Sequence, residues 1–89
     1  MKPREAQQAR LDGTLLVYSD RGSAPDLIVT IWRWVPGESD DPEEARRIQR
    51  FARGNRGKLI VVEVETGHFY ATVARCLTPA TAHDLLVSA

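Results

Sequence analysis

Residues 27–36, LIVTIWRWVP, form the most apolar run of the chain and carry both of its tryptophans, Trp32 and Trp34. Ile28, Val29, Thr30, Ile31, Trp32, Trp34 and Val35 are β-branched or aromatic, types that pack well on a pleated surface, so the run predicts a strand that Pro36-Gly37 ends. Side chains alternate along a strand, which puts Leu27, Val29, Ile31 and Val35 on one side and Ile28, Thr30, Trp32 and Trp34 on the other. Both sides are bulky. A side left in water seldom carries two tryptophans, so the second is expected to be covered by a partner, a ligand or another part of the chain. The plainer alternative turns the tryptophans into the core and lays the aliphatic set under the terminal helices.

Upstream, residues 1–10 are polar apart from Met1, Ala6 and Ala9, and are expected to form a flexible segment, a frayed helix at most, leaving residues 11–89 as a single domain. Leu11–Ser19, LDGTLLVYS, predicts the first strand, with Leu15 and Val17 on one face and Leu16 and Tyr18 on the other. Asp20–Asp26, DRGSAPD, has the turn chemistry of a loop.

Downstream, residues 38–58, ESDDPEEARRIQRFARGNRGK, carry the clearest helix signal. Asp41 is a natural N-cap, Pro42 suits the first helical position, and Glu44 stands three residues after the cap. Ala45, Ile48, Phe51 and Ala52 share one side, and Gly54 or Gly57 offers a stop, so the helix should run from about Pro42 to Arg53. Lys58–Glu65 and His68–Cys76 predict a hairpin about Thr66-Gly67. A two-residue loop would pair Val64 with Phe69, Val62 with Ala71 and Ile60 with Val73 on an apolar face. The other face would pair Glu65 with His68, Glu63 with Tyr70 and Val61 with Thr72. Thr78 and Pro79 predict the start of a last helix running to Val87, with Ala82, Leu85 and Leu86 on its buried side.

The order ββαββα predicts an α+β two-layer sandwich: a four-stranded, mostly antiparallel sheet with its helices on the one face lined by Val29, Ile31, Ile60, Val62, Phe69 and Val73. From Leu27 onward the order βαββα is similar, at fold level, to part of a ferredoxin-like domain. A shared fold assigns no activity. The open face would carry Tyr18, Thr30, Trp32, Trp34, Glu63, His68 and Tyr70.

A chain of 89 residues makes one domain and buries roughly 60% of the surface its unfolded form exposes. Twelve basic and twelve acidic side chains balance, so no global field draws it to nucleic acid or to an anionic membrane. With Cys76 as the single cysteine and His68 and His83 as the only histidines, neither a disulfide framework nor a Cys/His zinc pattern can be written, and no cofactor motif is present. A reducing, cytoplasmic setting fits this usage. The first ten residues lead into no apolar h-region, and the longest apolar run is far short of a membrane span.

Three constellations carry possible chemistry. Tyr18, Trp32, Trp34 and Tyr70 on one sheet face have the residue types that anchor interfaces, with Arg33, Glu63 and His68 at the rim. They lead to the principal expectation, a non-enzymatic protein–protein interaction module of adaptor or inhibitor type, paired with itself or with another protein. A first alternative is nucleic-acid binding. Arg46, Arg50 and Arg53 share one sector of the helix, Arg47 flanks them, and Arg56 and Lys58 follow, a pattern that neutralises phosphates. Against it stand the macrodipole, which explains bases at a helix end, the possible Glu43–Arg47 pair, and the acidic run Glu38, Asp40, Asp41, Glu43 and Glu44. The sheet described above also puts the tryptophans on the side away from the arginines. A second alternative is a dimeric α+β barrel enclosing a small ligand, with Glu63, His68 and Tyr70 as acid–base groups. Catalysis has the least support, since no nucleophile elbow, glycine-rich phosphate loop or metal-spaced carboxylate set occurs.

Overall fold

The computed structural model describes residues 1–32 and 41–88. The chain begins with helix α1 (Pro3–Asp12), where the sequence suggested a frayed helix at most. Proline at the first helical position, the Glu5 carboxylate accepting from the Lys2 N–H at 3.3 Å, and Gly13 in the left-handed region (φ 67°) bound its ends. Ala6 and Ala9, close to one turn apart, are buried and join Leu16, Val29, Ile31, Val61 and Leu77 in the core. Two methyl side chains let the helix approach the sheet closely. Leu11 and Asp12, expected in the first strand, are the last turn of α1.

Strands β1 (Leu16–Tyr18) and β2 (Leu27–Ile31) follow, then α2 (Pro42–Gly54), β3 (Leu59–Glu63) and β4 (Phe69–Thr72). A 3₁₀ turn at Ala74–Cys76 leads to β5 (Leu77–Pro79) and to α3 (Ala82–Ser88). The fold is α+β, with an open sheet of five strands in the order β4-β3-β2-β1-β5, every neighbour antiparallel. It differs from the expected four-stranded, ββαββα arrangement in α1 and in β5. Thr78 and Pro79, expected to open the last helix, instead belong to β5, which pairs with β1, Tyr18 opposite Leu77 and Leu16 opposite Pro79. Helix α3 then starts three residues later, where Thr81 and Asp84 cap it reciprocally: Asp84 Oδ2 accepts from the Thr81 N–H (2.7 Å) and hydroxyl (2.9 Å), and the Asp84 N–H donates to Thr81 Oγ1 (3.2 Å). Ala82, Leu85 and Leu86, expected on its buried side, are exposed, Leu86 by 76%.

Helices lie on both sides of the sheet. Leu16, Val29, Ile31, Val61 and Leu77 point toward α1, while Phe69 points the other way and meets Phe51 of α2 with ring centres 6.3 Å apart. Val17 and Ile60 also point away from α1 and are buried, as is Ile48 of α2. Helix α3 packs on the central strand β2. The reason for two covered faces is register. Ile31 lies opposite Val61 and Val29 opposite Glu63, so Val29 and Ile31 share a side with the odd-numbered residues of β3 and not with Ile60 and Val62, as expected.

Helix α2 matches its sequence signal closely. The Asp41 carboxylate accepts from the Glu43 N–H at 3.0 Å, and Asn55 closes the far end. The hairpin keeps its two strands but not its loop. Its register pairs Val62 with Phe69 and Ile60 with Ala71, displaced by two residues from the expected one. Glu63 and His68 close the loop through Glu63 N–H to His68 O (2.9 Å), Gly67 N–H returns to Glu63 O (2.8 Å), and Val64 leaves the strand 55% exposed. A shift of two preserves the side of each residue. Among the described residues no helix is long and apolar enough to cross a membrane.

Two measurements check this packing. Ala6→Asp places a charge at a site 1% exposed and is expected to cost about 2 kcal/mol or more in urea unfolding, whereas Gln7→Asp on the outer side of α1 should stay within about 0.5 kcal/mol. If residues 1–10 were a loose segment the two would behave alike. The Asp84 carboxyl is held below its ordinary value of 3.8 by the hydrogen bonds from Thr81. A depressed carboxyl stabilises the fold above its unfolded value and loses that contribution as pH falls through its folded value, so the α3 cap should open below pH 3.8. NMR titration of the Thr81 amide should show that step in the wild type and lose it in Asp84→Asn.

Candidate functional site

The expected aromatic face is divided by the register of β2 against β3. Tyr18 and Tyr70 lie on the α1 side and pack against the core, their ring centres 6.1 Å apart in an edge-on arrangement. Trp32 follows Ile31, lies on the opposite side, and is held by its backbone N–H, which donates to Ile60 O at 2.8 Å. The grouping of Tyr18, Trp32 and Tyr70 on one surface is therefore corrected. Trp34, with Arg33, Glu38 and Asp40, lies outside the described residues.

An arginine not singled out in the sequence completes the tyrosine pair. Arg21 sits in the β1–β2 loop between Asp20 (φ 61°) and Gly22 (φ 64°), two left-handed residues that fold the loop back over the sheet. Its guanidinium lies 5.3 Å from the Tyr18 ring centre and 5.1 Å from that of Tyr70, and Nη1 donates to Pro25 O at 2.6 Å. Positive charge over two ring faces is the cation–π arrangement. It ties the loop to β1 and to β4 at the sheet's far side.

The acid–base candidates Glu63, His68 and Tyr70 each have different surroundings. Glu63 and His68 face each other across the hairpin, but Glu63 is 8% exposed and its carboxylate accepts from the Thr66 hydroxyl at 2.8 Å, while His68 is exposed. Among the described residues no hydrogen bond joins the two side chains. Tyr70 is engaged with Tyr18 and Arg21. Cys76 is buried in the 3₁₀ turn, His83 is exposed on α3, and no group of three potential metal ligands occurs among the described residues.

Two clefts collect the remaining chemistry. Arg47 and Phe51 of α2, with His68, Phe69 and Tyr70, line a shallow cleft of about 320 Å³ beside the free edge of β4. At one end of the sheet, Trp32, Arg10, Asn55, Arg56 and Lys58 line a second cleft of about 290 Å³. Of the basic helix candidates, Arg46, Arg47, Arg50 and Arg53 are exposed along α2, and Arg46 Nε donates to Pro42 O at 3.3 Å. Arg56 and Lys58 turn toward Trp32, which the sequence had set on the opposite side from the basic residues. The convergence of Arg10 on this cleft has no sequence signal beyond its place in the last turn of a helix. Compared with known proteins, the chain matches no family model, no curated protein and no solved structure.

The Arg21 arrangement is open to a double-mutant cycle. Arg21→Gln and Tyr70→Leu should each destabilise the fold, with a coupling of about 0.5–1 kcal/mol in urea unfolding. Additive effects would mean that the ring contact contributes nothing.

Proposed function

We propose that this protein is a non-enzymatic binding module that takes up an extended segment of a partner protein along the edge of β4. The observation that carries the reading is the difference between the two sheet edges. β5 is three residues long, ends in Pro79, which has no N–H, and its Leu77 carbonyl accepts from the Met1 nitrogen at 3.1 Å. Among the described residues no proline or terminal nitrogen protects β4 in this way. Glu63 and His68 form a hydrogen-bonded pair, so by the antiparallel alternation Tyr70 and Thr72 bond to β3 while Phe69 and Ala71 turn their N–H and C=O groups outward. A strand added there gains main-chain hydrogen bonds, and alternate side chains reach the neighbouring cleft.

That cleft defines the partner's chemistry. Phe51 and Phe69 offer an apolar floor, and Arg47 and His68 stand at its margin, so the fitting segment carries an aromatic or aliphatic anchor next to an acidic residue. Both sheet faces are occupied by helices, which moves the contact surface from the face expected in the sequence to the edge.

Ala71→Pro removes one outward N–H and leaves the bonds to β3 in place, because Ala71 does not donate to β3. Peptides selected from a random displayed library on the immobilised protein should bind the wild type and lose binding to Ala71→Pro, with unchanged circular dichroism. A library that yields no Ala71-dependent sequence would sink the proposal. Light scattering over a dilution series separates the special case of a second copy: a dimer abolished by Ala71→Pro would make β4 of another molecule the added strand.

A further inference from the structure

The cleft at the end of the sheet is built by three segments that are distant in sequence. Trp32 leaves β2 on the α2 side, Arg10 arrives from the last turn of α1, and Arg56 and Lys58 come from the turn after α2. Gly57 (φ 83°) and the Lys58 N–H to Asn55 O bond (3.1 Å) reverse the chain so that both side chains border the same space. No carboxylate is among the described residues that line it. Three cations thus border one cleft in a protein whose charges balance overall, and an anion there would relieve their mutual repulsion.

Two further features suit a phosphate here. The carbonyls ending α2 would repel an anion, but Asn55 covers two of them, its Nδ2 donating to Phe51 O at 2.9 Å and its N–H to Ala52 O at 3.2 Å. The acids of α2 occupy its first turn, Glu43 and Glu44, so most of a helix about 20 Å long separates them from the cleft. Of the acidic run that argues against phosphate binding at Arg46 and Arg47, the described members Asp41, Glu43 and Glu44 do not line this cleft.

We infer that this cleft binds a nucleotide unit, with the base against Trp32 and the phosphate between Arg10, Arg56 and Lys58. An indole gives a stacking surface for any base, and guanidinium and ammonium groups together hold phosphate oxygens. The volume of about 290 Å³ is at the small end of ligand sites, which suits one nucleotide and excludes a duplex. The unit has two sources, a free mononucleotide or one residue of a single strand whose neighbouring phosphates follow Arg53 and Arg50 along α2. This site is separate from the β4 edge and does not depend on it.

The test uses the full chain carrying Trp34→Phe, so that Trp32 alone reports by fluorescence. AMP and a DNA single strand of about ten nucleotides are titrated at low and moderate salt. Saturable quenching is expected, weakened about 5- to 150-fold by Trp32→Leu as read by calorimetry. Arg56→Glu and Lys58→Glu, on exposed positions that leave the fold intact by circular dichroism, should each weaken binding and lower its salt dependence. Equal affinity for the two probes assigns a free nucleotide, and a tighter, more salt-dependent oligonucleotide assigns a strand. Absence of binding to either probe at low salt, or binding indifferent to Arg56→Glu and Lys58→Glu, overturns the inference. A duplex bound as tightly as the single strand, without quenching, overturns it as well.

Discussion

The pairing of β2 with β3, Ile31 opposite Val61 and Val29 opposite Glu63, sets the side on which every later side chain falls. Because strand side chains alternate, one residue of slip would exchange the two sides of the sheet. In the observed register Val29, Ile31 and Val61 meet the small residues of α1, and Tyr18 and Tyr70 extend the same side. Trp32 and Phe69 are left to the side of α2. The register thus separates the tyrosines, which close over Arg21, from the tryptophan, which borders a basic cleft.

A sheet of five strands needs cover on two faces and at two edges. Here α1 and α2 supply the faces, and the edges are treated unequally. Pro79 and the Met1 nitrogen protect β5, whereas Phe69 and Ala71 turn their backbone groups away from β3, with Phe51 lining the neighbouring cleft. An unprotected strand edge is a template for another strand, and natural sheets commonly block it. The asymmetry is why the protein-binding proposal rests on β4 rather than on an aromatic sheet face.

Charge is sorted along α2 in the order the macrodipole favours, acids in the first turn and bases toward the end. That arrangement stabilises the helix and has a second effect: it leaves the turn after α2 rich in cations next to Trp32. Arg10, at the corresponding end of α1, adds a third positive group. Helix stability and a local basic field arise from the same pattern.

Local chemistry was legible in the sequence wherever a signal is confined to one turn or one strand. Asp41-Pro42 places the start of α2, and the strand character of Leu27–Ile31 and Leu59–Glu63 follows from their β-branched residues. Pro3, Glu5, Ala6, Ala9 and Gly13 carried a helix signal that polar composition masked, since only two small apolar residues mark the buried side. What tertiary structure alone decided is relative placement. The loop at Val64–Gly67 takes four residues rather than two because Glu63 holds the Thr66 hydroxyl and the Gly67 N–H, interactions that no periodicity reports. Leu77–Pro79 became a strand because β1 had a free edge to satisfy. Alternation tells which residues of one strand share a side, but only the pairing between strands tells which sides coincide, and so the company kept by Trp32, Tyr18 and Tyr70 belonged to the fold.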